Sequence, residues 1–265
     1  MPISKIKPIQ IQKEITKLED EGKSRTADLM RLTLNQIFEA AIDNDLCDRN
    51  PSKRTKKPQY NSKPVQPLSE IEINNLINAG IPPIPRLFML LCLFSGLRKS
   101  EALACTLGEK EEITVQEVFV NNKLKQAPKT MAGFRSIKTL PIIREAFESV
   151  PTDRIYIFSD YASSKPYQAM WKEITTAYEA HIASVAPRHF TAHILRHTFC
   201  TLLYYADFDV LQAQYLMGHD SLEVTLKTYT HIQKTSLGKR DKYQEWKPIL
   251  RKILLSENSQ NTVRE

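Results

Sequence analysis

Residues 191–231, TAHILRHTFCTLLYYADFDVLQAQYLMGHDSLEVTLKTYTH, decide how this chain is read. They predict three helices in succession, at about 193–205, 208–217 and 222–231, with Gly218 ending the second. His193 and Arg196 stand three apart in the first, so they share a face and both can reach a single phosphate. His219 follows the helix-ending glycine, and Tyr229 comes ten residues after it.

Upstream, the same mostly helical character continues. Ser69-Glu70-Ile71-Glu72 is a capping-box pattern opening a helix to about Ala79. The apolar run Leu87 to Phe94 predicts a buried helix, closed by Ser95-Gly96, with another from about Lys99 to Ala104. The β-branched content of residues 113–120 and 135–142 predicts strands of a small antiparallel sheet, with Ala132-Gly133 as a turn. Further helices are expected at about 143–150 and 167–185. The fold class is therefore mainly α with a small antiparallel β-sheet.

Ahead of this lies a shorter helical region. Ile9, Ile11, Ile15 and Leu18 mark one amphipathic helix, which Gly22 ends, and Leu29, Leu32, Leu34, Ile37, Phe38 and Ala41 mark the apolar face of a second. Asn50-Pro51 reads as a boundary, and Arg49 to Lys63 carries six basic residues and no acidic one. The divisions expected are a helical domain at 1–50, a basic linker at 51–66, a main domain at 67–235 and a tail at 236–265. In the tail, Trp246, Ile249, Leu250, Ile253 and Leu254 fall on one helical face. That face either folds back onto its own domain or packs in a groove on a neighbouring molecule.

Composition narrows the class. The 265 residues are 42% hydrophobic, ample for buried cores, and no stretch approaches the roughly 20 apolar residues of a membrane span. Cys47, Cys92, Cys105 and Cys200 lack metal-site spacing and disulfide-scaffold density, so reduced core thiols and a cytoplasmic location are expected. A net charge of +7 suits a polyanion, and Lys53, Arg54, Lys56 and Lys57 either face solvent or lie along phosphates. His193 and His197 have zinc-ligand spacing without an accompanying carboxylate, and seven glycines form no phosphate-cradling loop. Neither a metal nor a cofactor is expected.

Four separated stretches carry a resemblance. They are Ser95-Gly96-Leu97-Arg98-Lys99-Ser100-Glu101-Ala102-Leu103; Pro128-Lys129-Thr130 with Ala132-Gly133 and Arg135; Thr191 to Phe199; and Leu216-Met217-Gly218-His219 with Thr228-Tyr229-Thr230-His231. In this order they resemble the tyrosine recombinases, the phage-integrase family, over roughly residues 24–235. The resemblance implies a partial helical core-binding domain followed by a catalytic domain. It implies Tyr229 as the nucleophile that forms a 3'-phosphotyrosyl bond, and His193 as the acceptor of its proton. Arg98 and Arg196 would neutralise the nonbridging oxygens, Lys129 would protonate the leaving 5'-oxygen, and His219 would donate to the phosphate or steer Tyr229.

Around these, Glu101 either holds the Arg98 fork or merely balances Lys99, and His197 either packs or supports from behind. Arg135 is expected on DNA with the basic linker. The implied partner is double-stranded DNA bearing inverted-repeat attachment sites, bound by a homotetramer that is a monomer off DNA. Accessory DNA-bending or directionality proteins would assist, without a membrane.

Two departures from the family pattern stand out. Only 66 residues precede the catalytic domain, and they resemble the later half of a core-binding domain, so an incomplete clamp is expected. Cys105-Thr106-Leu107 and the acidic Glu109, Glu111 and Glu112 replace a tryptophan-containing turn. A type IB-like topoisomerase and a non-cleaving DNA-binding remnant remain as alternatives.

Overall fold

The computed structural model describes residues 1–59, 65–126, 134–150, 154–183, 188–235 and 243–254. Two compact units divide the chain, Met1–Pro64 and Val65–Glu265.

The first unit is a helical hairpin. Pro8 opens α1 (Pro8–Asp20), where its missing N–H costs nothing, and Gly22 at φ +71° turns the chain into α2 (Ser24–Asp43). Ile11 and Ile15 pack with Ala27, Phe38, Ala41 and Cys47 in a core of their own. The apolar face expected on α2 is only half realised: Phe38 and Ala41 are buried, whereas Leu29, Leu32 and Ile37 are exposed. At about 100° per residue, Leu29 and Leu32 lie nearly opposite Phe38 and Ala41, and a single partner helix covers one stripe. The start of the basic stretch is tied to this hairpin. Asn50 Nδ2 donates to the Asn35 carbonyl and to Glu39, Asn50 Oδ1 accepts from the Ser52 amide at 3.0 Å, and the Lys56 amide donates to Gln12 at 2.8 Å.

In the second unit, Ser69 and Glu72 form a reciprocal capping box at the start of α3 (Glu70–Asn78). Every residue from Leu87 to Phe94 in α4 (Pro83–Phe94) is buried, making this helix the centre of the core. After it come α5 (Lys99–Ala102), one turn long, and then β1 (Glu112–Val115), β2 (Glu117–Val120), β3 (Lys123–Gln126) and β4 (Arg135–Lys138).

These strands correct the expectation of one sheet. β1 pairs with β4, aligning Ile113 with Ile137 and Val115 with Arg135, while β2 and β3 form a separate hairpin. Its turn is Asn121-Asn122, both at positive φ, the conformation that matches strand twist in two-residue turns. β3 is exposed throughout and carries no alternating pattern, so periodicity alone misses it. The strand expected to run to Ile142 stops at Lys138, and α6 (Pro141–Glu148) starts at its proline. Ala132-Gly133 lies outside the described residues.

The remaining helices are α7 (Ser164–Ile182), α8 (Ala192–Tyr205), α9 (Val210–Met217), α10 (Leu222–Thr235) and α11 (Trp246–Leu254). The described part of the tail, residues 243–254, packs on its own unit. Trp246 lies 4.5 Å from the Phe94 ring, Leu250 is fully buried, and Asp207 pairs with Lys247 and Arg251 at 2.6 and 3.0 Å. All four cysteines are free and buried, and among the described residues no helix is long and apolar enough to cross a membrane.

Candidate active site

The site is organised by the C-terminal end of α9. A helix leaves its last carbonyls without intrahelical partners, and its dipole makes that end partly negative. Gly218 terminates α9 in the left-handed conformation at φ +60°. The carbonyls of Leu216, Met217 and Gly218 each accept from a different arginine: Arg135 Nε at 2.9 Å, Arg196 Nη2, and Arg98 Nη2 at 2.5 Å.

The same three guanidiniums meet at one carboxylate. Glu101 accepts from Arg98 Nη1 at 2.7 Å and Arg135 Nη2 at 2.7 Å, and its Oε2 lies 3.9 Å from Arg196 Nη1. Its Oε2 also accepts the Arg98 backbone N–H at 2.8 Å, closing the first turn of α5. Burial is the largest single influence on Glu101 and opposes ionisation. The charge and hydrogen bond of Arg135, the Arg98 amide and the charge of Arg196 outweigh it and hold the carboxyl at about 2. Glu101 is an anion at any physiological pH.

Exposure separates the three arginines. The side chain of Arg98 is 40% exposed, that of Arg196 7% and that of Arg135 0%. Arg196 rises from the second turn of α8 and also donates to the carbonyl of Gly96. Gly96 sits at φ +61°, and a Cβ there would meet Phe199 Cδ1 at 2.3 Å, so only glycine lets the α4–α5 bend approach α8 this closely. Burial, then the nearby charge of Arg98, lowers Arg196 to about 9, which leaves it cationic at neutral pH.

His219 follows directly. Its amide donates to the Gln214 carbonyl, and its Nδ1 is 2.9 Å from Thr225 Oγ1, a buried hydroxyl on α10. Burial, then Arg196, Arg98 and Arg135 in that order, pushes the imidazole down to about 4. It is neutral at pH 7 and retains one N–H to donate. His193 lies exposed in the first turn of α8, below a helix cap made by the Thr191 side chain on the Ile194 amide. His197 is half-buried one turn further on.

Tyr229 stands apart. Its ring is buried edge-on to Tyr204, with centroids 5.1 Å apart, and its hydroxyl faces the Phe208 carbonyl at 3.5 Å. Burial chiefly, with Cys200, Asp209 and Tyr204, raises the phenol well above its ordinary value. Phe208 precedes α9, whereas the guanidiniums cluster beyond its last turn, so at about 1.5 Å per residue the two groups lie roughly 12 Å apart along that helix. The structure thus brings together Arg98, Glu101, Arg196 and His219, and does not bring Tyr229 to them.

Lys129 lies outside the described residues. Lys53, Arg54, Lys56 and Lys57 are exposed in the first unit, Lys53 also 3.0 Å from Glu39. Arg135, expected on DNA, is buried beneath the site with all three guanidinium nitrogens engaged. A signal for this was available: alternation along β4 puts Arg135 on the same face as Ile137, which is wholly buried. Thr225 was missed, and nothing in its local sequence marks it. Among the described residues no group of three or more His, Cys, Asp or Glu could hold a metal ion.

Comparison with known proteins gives the family and the fold. Residues 67–236 match the phage integrase family, and residues 1–58 match the phage integrase central domain. A XerC-like tyrosine recombinase of Caldanaerobacter subterraneus subsp. tengcongensis is 27% identical, the alignment covering 89% of this chain and 71% of that protein. The tyrosine recombinase XerD of Rickettsia bellii is 26% identical, with 83% and 77% covered. The transposase of transposon Tn916 from Enterococcus faecalis is 25% identical, with 86% and 64% covered. In fold, the chain is similar to the Tn1549 transposon integrase in complex with transposon right end DNA, with a TM-score of 0.70, 23% identity and 89% and 85% covered. A lambda integrase dimer bound to a COC' core site gives a TM-score of 0.66 at 20% identity, with 86% and 65% covered.

Proposed function

The chain belongs to the phage integrase family, the tyrosine recombinases, and we propose that it cleaves and rejoins DNA at specific sites through a 3'-phosphotyrosyl intermediate. The observation that carries this reading is the cradle at the end of α9. Two guanidiniums, the partly exposed Arg98 and the nearly buried Arg196, are held beside a neutral imidazole, His219.

Such a cradle suits a phosphodiester. Its charge repels nucleophiles, and the five-coordinate transition state concentrates more charge on the nonbridging oxygens. Arg98 and Arg196 offset that charge with forked donors already in place, and His219 adds a neutral N–H. The phenolic oxygen of Tyr229 attacks phosphorus as its proton passes to His193. The bond from phosphorus to the 5'-oxygen breaks, and Lys129 supplies the proton that oxygen needs to leave as a hydroxyl. A 5'-hydroxyl of another strand then reverses the steps, so the ester linkage is conserved and no ATP is required.

Tyr229 must first leave the Phe208 carbonyl. The exposed Lys53, Arg54, Lys56 and Lys57 lie along DNA phosphates in this reading, with inverted half-sites bound by paired protomers and a tetramer formed across two sites. Integration or excision of a phage or other mobile element is the role that follows.

A nicked suicide duplex carrying an attachment site tests the proposal. The wild type is expected to form a covalent adduct, and Tyr229→Phe none. Strand exchange between two duplexes, as opposed to relaxation alone, separates a recombinase from a topoisomerase. The stowed Tyr229 also favours a second reading, a DNA-binding remnant that does not cut, and a wild type that binds the duplex without forming an adduct would establish it.

A further inference from the structure

We infer that Arg135 is the positioning residue of this site: without touching DNA, it fastens Glu101 to the last turn of α9 so that Arg98, Arg196 and His219 form one preset cradle. The inference rests on the strand-transfer reading above and assigns a role within the same site.

The geometry is specific. Arg135 spends its fork on both oxygens of Glu101, Nη2 at 2.7 Å and Nη1 at 3.4 Å, and its Nε on the Leu216 carbonyl at 2.9 Å. Arg98 makes a parallel link one step outward, from Glu101 to the Gly218 carbonyl. Arg196 lies between them, donating to the Met217 carbonyl with Glu101 at 3.9 Å. Three guanidiniums therefore bridge one carboxylate to three successive carbonyls. The innermost, Arg135, is wholly withdrawn from solvent and has all three guanidinium nitrogens engaged, so it has no donor left for a phosphate.

Placement of Arg135 is independent of the helices that carry the other two. It stands at the start of β4, opposite Val115 of β1, and the same strand anchors Ile137 in the core. A sheet edge is thereby locked to a helix end. Burying a third cation so near two others is costly unless it is fully paired, and here the carboxylate and the carbonyl do so. A lysine keeps the charge but presents one point of attachment where a planar fork and a third nitrogen are needed.

The groups around His219 are Arg98 before α5, Arg135 from β4, Arg196 from α8, and Thr225 and Asp220 in the chain that follows. Two variants therefore separate geometry from charge. In single-turnover cleavage of the suicide duplex, Arg135→Lys is expected to slow adduct formation roughly 10- to 100-fold, by analogy with the loss seen when a group that orients a metal ligand is removed. Its duplex affinity and the pH profile of cleavage should stay unchanged. Arg135→Gln, which loses the charge as well, should be slower still and shift the acid limb of the profile upward. Rates within twofold of wild type for Arg135→Lys would overturn the inference, as would an equal loss of duplex affinity.

Should Arg135→Gln not fold, the rate of Arg135→Lys at unchanged affinity decides the matter. A wild type that makes no adduct sinks strand transfer itself. The positioning role is then read from the NMR titration of the His219 ring, which must rise in Arg135→Gln but hold in Arg135→Lys; an unmoved titration in Arg135→Gln refutes it.

Discussion

At the C-terminal end of α9, three guanidiniums converge on Glu101 and on the carbonyls of Leu216, Met217 and Gly218; at the N-terminal end, the phenol of Tyr229 rests beside the carbonyl of Phe208. One end is a charge network closed by its own donors and acceptors, because buried charges in this number fold only when every donor finds an acceptor. The other end holds a neutral aromatic side chain by burial and one long contact, and neutral apolar packing tolerates rearrangement far better than a charge network. In the proposed reaction, this contrast assigns preorganisation to the electrostatic half of the site and movement to Tyr229.

The largest test of this contrast is at the assembled end. Arg98→Ala removes a partly exposed donor while Arg135 and Arg196 still satisfy Glu101, so folding should survive. The adduct rate should fall about 10²- to 10³-fold, the usual loss for one oxyanion-stabilising donor. A single-turnover time course with a thermal melt on the same sample checks both halves of that expectation. A loss below tenfold would mean that Arg98 is not where charge develops.

At the stowed end the expected effect is smaller and opposite in sign. Tyr204→Leu removes the edge-to-face partner of Tyr229, a contact worth about 0.5–1.5 kcal/mol. If release of the phenol limits cleavage, the adduct should form roughly 2- to 10-fold faster by the same energy. A slower reaction would show that the Tyr204 ring guides the nucleophile and does not restrain it.

A third effect is on stability. His219 is held at about 4 in the folded protein, below its ordinary 6.5. As pH falls below about 6.5, the unfolded chain takes up this proton and the folded chain does not, so stability declines from there toward pH 4. Glu101 contributes in a lower window, present above the ordinary 4.5 and lost toward 2. Denaturant melts between pH 7 and 5 should therefore show a shallower decline for His219→Gln than for wild type, and parallel curves would contradict the buried neutral ring.

Legibility in the sequence followed the range of the forces involved. The capping box at Ser69, the apolar run of α4 and the left-handed Gly218 are local signals, and the corresponding elements are where those signals point. The exposed hairpin strand Lys123–Gln126 had only the Asn121-Asn122 pair to announce it, because a strand with no buried face has no alternation to read. Half of the apolar residues on α2 faced solvent because one partner helix covers one stripe. Arg135 looked like a member of a basic surface stretch, and its true face was recoverable only by giving Ile137 precedence over charge.

From the sequence alone came the cast and its order: a helix-capped domain, Arg98, Glu101, Arg196, His219 and Tyr229 in succession, and the family they resemble. Tertiary structure decided which of them meet. Glu101 joins arginines 34 and 95 residues further along the chain, while Tyr229 is drawn to the far end of α9. Contacts over such separations are set by the packing of whole helices and a sheet edge, to which periodicity and capping, acting within a few residues, are blind.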